Sequence, residues 1–252
     1  MSHVPKTNDK NNYIGIEIEF FSKYSNNYIH YIFNKNKLLK TFCKLGFDNS
    51  VHDPYNTYEE GGQELKILTK IKDLQKNLLV VKNFLKLVDA KVNSSCGLHV
   101  HLDTRNIDGE LVLKRLVKHL DHIEGSVPKQ RLDNSYSCSI KDDVQPMLKV
   151  MKYYKRGISN TSTVFEPRRG HYTKCNVPDY FVSRYRSINI ESMLKYKTIE
   201  VRCHEGTVNC AEIYNWCEYL CDIAYNRKNK RSVNYINKRV KTKGKYEAKR
   251  IA

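Results

Sequence analysis

Three short stretches of this chain set ionisable residues two apart between apolar ones. The first is Ile14-Gly15-Ile16-Glu17-Ile18-Glu19-Phe20. The second is Leu98-His99-Val100-His101-Leu102-Asp103, and the third is Thr198-Ile199-Glu200-Val201-Arg202-Cys203-His204. Alternation with period two is the mark of a β-strand with one apolar and one polar face. Glu17 and Glu19 then share a face, with their carboxylates within roughly 7 Å of each other. His99, His101 and Asp103 share another face, and Glu200, Arg202 and His204 a third. A solvated strand face accounts for any one of these pairs taken alone. Three with the same geometry call for a common reason.

Carboxylates held close together disfavour one another's ionisation unless a cation balances them. Carboxylates with one or two histidines, and no cysteine among them, suit hard divalent cations such as Mg2+ or Mn2+. An arginine beside them suits phosphate oxygens. If the three strands share a sheet, one face carries Glu17, Glu19, His99, His101, Glu200 and Arg202, and Glu64, which opens a strand of its own, can join them. Carboxylate, cation, phosphate and arginine together are the constellation of phosphoryl transfer from a nucleotide.

The elements that must position these residues are legible in outline. A polar lead, residues 1–12, precedes the first strand. Ile29, Ile32, Phe33, Leu39, Phe42 and Cys43 recur at helical spacing, which predicts a helix closed by Gly46. Residues 47–63 read as a loop, and Glu64–Leu68 as a short strand. Ile71, Leu74, Leu78, Val81, Leu85 and Val88 mark a long amphipathic helix. Asp108 is placed to cap a helix whose core face is Val112, Leu116, Leu120 and Ile123. Residues 128–138 are irregular, 144–154 suit a short helix, and 157–178 are loop-rich. Residues 183–190 and 197–204 read as two strands joined by a turn, and Asn209 as the cap of a last helix carried by Ile213, Trp216, Cys217, Leu220 and Ala224. Strands and helices mix without a βαβ rhythm, which predicts an α+β fold with a largely antiparallel sheet.

The chain of 252 residues suits one large domain, and 40% hydrophobic content suffices for a core. A formal net charge of +17 favours an anionic partner. Abundant Lys, Asn and Tyr throughout weaken that charge as a functional signal. The 8 cysteines form no CxxC pair and no zinc spacing, so they read as reduced thiols of a cytoplasmic protein. The N-terminus lacks an apolar signal core, and no run reaches membrane-spanning length. Beyond Asn226 the chain turns basic without apolar periodicity, which predicts a mobile tail that takes no part in chemistry.

Gly15-Ile-Glu-Ile-Glu19-Phe20, Glu64-Leu65, Cys96-Gly-Leu-His-Val-His-Leu-Asp103, Arg131 with Asn134-Ser-Tyr136-Ser-Cys138, Tyr185-Arg186 with Asn189, and Thr198-Ile-Glu-Val-Arg202 with Glu205-Gly206-Thr207 stand in one order. In that order the chain resembles the putative amidoligase family, part of the glutamine synthetase-like carboxylate–amine ligases, over residues 13–225. The resemblance implies a curved antiparallel sheet with helices packed on its convex face. It implies a catalytic domain over residues 13–227, with a basic tail at 228–252. It implies an ATP-dependent ligase that forms an amide through an acyl phosphate, using ATP with Mg2+ or Mn2+. By the same resemblance Glu17, Glu19, Glu64, His99 and Glu200 are metal ligands. His101 lies by the phosphates, Arg186 and Arg202 neutralise the transferred phosphoryl group, and Arg131 holds a substrate carboxylate. Lys66-Ile67 stands where the family often has Ser-Pro, and Asp48-Asn49-Ser50 where it has Asp-x-Ser. These departures bear on the substrate-side contacts more than on the metal site.

Small-molecule and peptide carboxylates and amines are the expected substrates, with no membrane partner. A metal-dependent hydrolase or nuclease, its basic tail holding nucleic acid, is the alternative from the same residues. A non-catalytic binding module is the third. No Ser or Cys triad is placed, and Cys138 lacks a base. Cys138→Ser is therefore expected to keep most ligase activity. Complete loss in a variant with an unchanged circular dichroism spectrum would point to a covalent thioester route.

Overall fold

The computed structural model describes residues 12–55, 62–155, 184–227 and 234–241. Six strands form one sheet: β1 (Tyr13–Phe20), β2 (Cys43–Asp48), β3 (Gly62–Lys70), β4 (Gly97–Asp103), β5 (Ile188–Asn189) and β6 (Thr198–Glu205), in the order β2-β3-β1-β4-β6-β5. The β1–β3, β2–β3 and β5–β6 pairs are antiparallel. Mixed strands and helices with an open sheet agree with the α+β expectation, and the three alternating stretches are neighbours in the strand order. The chain divides into two compact units, Met1–His101 with His204–Tyr219, and Leu102–Cys203 with Leu220–Ala252.

In the first unit β1 buries Ile14, Ile16, Ile18 and Phe20 almost completely. Each such side chain contributes about 1.5–3 kcal/mol on leaving water. Helix α1 (Asn26–Lys35) starts where the Ser25 hydroxyl accepts the Tyr28 N–H, and α2 (Leu74–Leu87) buries Leu74, Leu78, Val81, Phe84 and Leu85. The Phe84 ring meets Phe20 and Phe33 edge-on, which fixes that layer. The helix expected to run on to Gly46 ends at Lys35. Asn36 Oδ1 accepts the Leu39 N–H beyond it, and Cys43–Asp48 pairs with β3 as a strand, Gly46 opposite Glu64. Pairing with a neighbouring strand outweighs a spacing that suits either element. The Glu64 strand is correspondingly longer than expected, Gly62–Lys70.

In the second unit Asp108 Oδ1 accepts the Glu110 N–H, capping α3 (Gly109–Lys118) as expected. The predicted helix continues only after a break at His119, as α4 (Leu120–Gly125). Then come α5 (Lys129–Leu132), α6 (Val144–Lys155) and, between β5 and β6, α7 (Ser192–Tyr196). Helix α8 (Cys210–Tyr225) starts in the first unit, with Asn209 Oδ1 accepting the Ala211 N–H, and ends in the second. The loop expected at 157–178 lies outside the described residues.

Within the tail, the described residues 234–241 depart from the mobile extension that the charge of this region suggests. Residues 234–241 are helical, Ile236 is buried, and Arg239 Nε donates to the Ser126 carbonyl at 3.1 Å. One buried isoleucine is too sparse a signal to form a visible period. Among the described residues no helix is long and apolar enough to cross a membrane, and no cysteine is in a disulfide.

Gly206 follows β6 and donates its N–H to the Cys96 carbonyl at 2.9 Å. A Cβ there would lie 2.5 Å from Cys96 Cβ and 3.0 Å from its carbonyl carbon. Gly206→Ala is expected to cost about 1–3 kcal/mol of stability. Urea melts should show a lower midpoint with an unchanged slope; an unchanged midpoint would mean that the two segments separate freely.

Candidate functional site

The first unit gathers Glu17, Glu19, Glu64, His99 and His101. Antiparallel register sets Glu19 directly opposite Glu64, and Glu17 opposite Lys66. Side chains so placed have Cβ atoms about 4.5–5.5 Å apart, close enough for like charges to repel. His99 Nδ1 lies 3.3 Å from Glu17 Oε2, and His99 Nε2 lies 3.5 Å from Glu19 Oε1. His101 Nε2 lies 3.5 Å from Glu17 Oε1. Glu19 Oε2 also accepts the Gly97 N–H at 2.6 Å, which ties the start of β4 to β1. Gly15 leaves room for His101: a Cβ at Gly15 would stand 3.1 Å from His101 Cβ.

These neighbours pull the two glutamates apart in acidity. Burial alone would raise the Glu17 carboxyl, but hydrogen bonds and charge from His101 and His99 hold it well below the usual carboxylate range. Glu64 is pushed the other way, to about 7, by burial and then by the Glu17 charge, and the Lys66 ion pair only partly offsets this. Lys66 Nζ lies 2.7 Å from Glu64 Oε2 and 3.3 Å from Glu17 Oε1. Burial would lower the Lys66 ammonium; Glu64 and Glu17 outweigh it and raise it.

Within the first unit two groups of potential ligands result. Glu17, Glu64 and His99 offer atoms within 4.8 Å of one another, and so do Glu19, Asp48 and Glu64. A hard divalent cation fits this oxygen-rich set with one imidazole.

The second unit holds Glu200, Arg202, Arg186 and Arg131. Glu200 is buried, accepting from Arg202 Nη1 at 2.6 Å and from Asn189 Nδ2 at 2.6 Å. Arg202 Nε also donates to the Tyr136 carbonyl at 3.4 Å. Arg186 pairs with Asp143 at 3.0 Å. Its backbone neighbours bind Cys138 on both sides, the Cys138 N–H donating to the Tyr185 carbonyl and the Ser187 N–H to the Cys138 carbonyl. Cys138 thus belongs to the frame around Arg186, and its thiol donates to the Asn134 carbonyl at 2.9 Å. Arg131 lies on α5, 7% exposed. Beneath this loop the buried Glu124 accepts from Ser139 Oγ, the Ile140 N–H and Ser187 Oγ.

Two polar strand residues serve elsewhere. Asp103 takes a two-pronged contact from Arg105, and His204 is fully buried against Trp216 with ring centroids 4.9 Å apart. Two residues that the sequence marks only as departures from the family pattern, Asp48 and Lys66, stand among the carboxylates. Asp48 was assigned to a loop because its strand was hidden. Lys66 did carry a signal, since it stands two residues after Glu64 and therefore on the same strand face.

The chain belongs to the family described as putative amidoligase enzyme, which matches residues 44–224. Membership in that family points to ligase activity. The match begins after β1, so Glu17 and Glu19 lie outside the matched residues. No curated protein matches the chain.

The raised Glu64 carboxyl predicts a pH dependence in cation-free buffer. Unfolded, the group loses its proton near 4.5; folded, near 7. Between these values the folded state binds the extra proton, so the Glu64 contribution to stability falls as pH rises. Urea melts in EDTA from pH 4.5 to 7.5 should show Glu64→Gln gaining on the parent protein with rising pH. A constant difference across that range would contradict the assignment.

Proposed function

We propose that this protein is an ATP-dependent carboxylate–amine ligase that forms an amide through an acyl phosphate. The observation that carries the reading is the Glu17–Glu64–His99 group, two carboxylates and an imidazole held within 4.8 Å on strands of a mixed α/β fold. Family membership supplies the reaction class. We take the sheet to be of the glutamine synthetase-like type, with helices on its convex face, and residues 13–227 as the catalytic domain. We take the protein's setting to be cytoplasmic.

A carboxylate is a poor acylating agent because oxide is a poor leaving group. In the proposed reaction a substrate carboxylate oxygen attacks the γ-phosphorus of ATP, the bond to the bridging oxygen breaks, and ADP departs. The amine then attacks the acyl carbon, phosphate leaves with its electron pair, and the amine proton passes to solvent. Arg202 and Arg186 supply positive charge where phosphoryl charge develops. Both are held in place by carboxylates, Glu200 and Asp143, which limits reorientation during the reaction. His101 lies by the phosphates, and Arg131 receives a substrate carboxylate. Glu17, Glu19, Glu64 and His99 would hold Mg2+ or Mn2+, which when bound neutralises phosphate oxygens, and Glu200 is proposed as a metal ligand of its own unit. Small-molecule and peptide acids and amines are the proposed substrates.

The test is ATP turnover by purified protein with Mg2+ and pooled amino acids or peptides, read by mass spectrometry. Oxygen-18 from a labelled carboxylate should appear in released phosphate. Arg202→Ala should lower the rate by about a hundredfold. Cleavage of a nucleic acid without nucleotide would favour the hydrolase reading instead.

A further inference from the structure

Lys66 stands out among the residues around the carboxylates because it is a cation already seated where a cation is wanted. It follows Glu64 by two positions on β3, so both project from one face, and register sets it opposite Glu17. Its ammonium touches Glu64 Oε2 at 2.7 Å and Glu17 Oε1 at 3.3 Å. Those two carboxylates are two of the three members of the Glu17–Glu64–His99 group. An ammonium and a divalent cation repel each other and compete for the same oxygen lone pairs. The Lys66 side chain is 52% exposed, so its stem can swing the charge into solvent without disturbing the core.

We propose that the Lys66 ammonium is the resident counter-ion of the Glu17–Glu64–His99 group, and that a divalent cation enters this group only by displacing it. The inference rests on the reading of these residues as metal ligands. Lys66 is then a positioning residue. It keeps the glutamates folded and oriented in the empty protein, and it sets the cation concentration at which the group fills. Weak binding without nucleotide follows, because the incoming ion must overcome a charge already in place.

The test is Mn2+ titration of the full chain by calorimetry at fixed ionic strength without nucleotide, on the parent protein, Lys66→Met, Lys66→Gln and Lys66→Arg. The two neutral variants should bind Mn2+ more tightly by on the order of tenfold, while Lys66→Arg, which keeps the charge, should stay near the parent. Thermal melts in EDTA should show the neutral variants less stable than the parent, with Mn2+ restoring them. Lys66→Gln, whose amide can still donate to the carboxylates, serves if the methionine variant fails to fold. Equal Mn2+ affinity in parent and neutral variants, or weaker binding in the variants, would overturn the role of Lys66 and leave the metal site standing. No Mn2+ binding by any of the four proteins would overturn the metal reading, and this inference with it.

Discussion

Charge balance among crowded carboxylates is the constraint on which the first unit depends. Register sets Glu19 against Glu64, and Glu17 two residues along the same face. Left alone, these groups would repel one another and resist burial. Each instead has a donor or cation in reach: Gly97 N–H and His99 for Glu19, His99 and His101 for Glu17, Lys66 for Glu64 and Glu17. The apolar face of β1 is buried almost completely, which fixes the strand and leaves the polar face no freedom to slip. A one-residue shift would drive both glutamates into the core and Ile16 and Ile18 out of it.

The second unit solves a similar problem with arginine. Glu200 is buried with Arg202 and Asn189, and Asp143 with Arg186. Loss of one partner from such a pair strands a charge in low dielectric, so each pair fixes orientation more than it adds stability. For a group meant to meet a phosphate, fixed orientation is the useful property, because the protein then supplies positive charge without reorganising. The loop through Tyr136 and Cys138 belongs to this frame, since its backbone binds both the Arg186 segment and the Arg202 guanidinium.

What was legible in the sequence was what the chain encodes over a few neighbouring residues. The alternation of Glu17 and Glu19, of His99 and His101, and of Glu200 and Arg202 belongs to single strands, and so do the Asp108 and Asn209 caps. Partnerships across strands were not legible, because register depends on residues far apart. Lys66 opposite Glu17 and Asp48 near Glu19 and Glu64 emerge only from pairing. The strand at Cys43–Asp48 was hidden because Leu39, Phe42 and Cys43 also fit a helical spacing. His204 shares its strand's polar alternation with Glu200 and Arg202, yet it is buried against Trp216, a partner contributed by another element.

The Glu124 carboxylate beneath the Tyr136 loop has a consequence in the order of assembly. Two of its donors, Ser139 Oγ and Ile140 N–H, lie 15 and 16 residues away, and the third, Ser187 Oγ, lies 63 away. Bringing chain ends together costs entropy that grows with the logarithm of the span, about 0.6 kcal/mol for each doubling. The short closures are therefore the cheaper ones. The segment carrying Arg186 meets an acceptor that its nearer partners can already have oriented, and the distant contact adds to a structured loop instead of creating one.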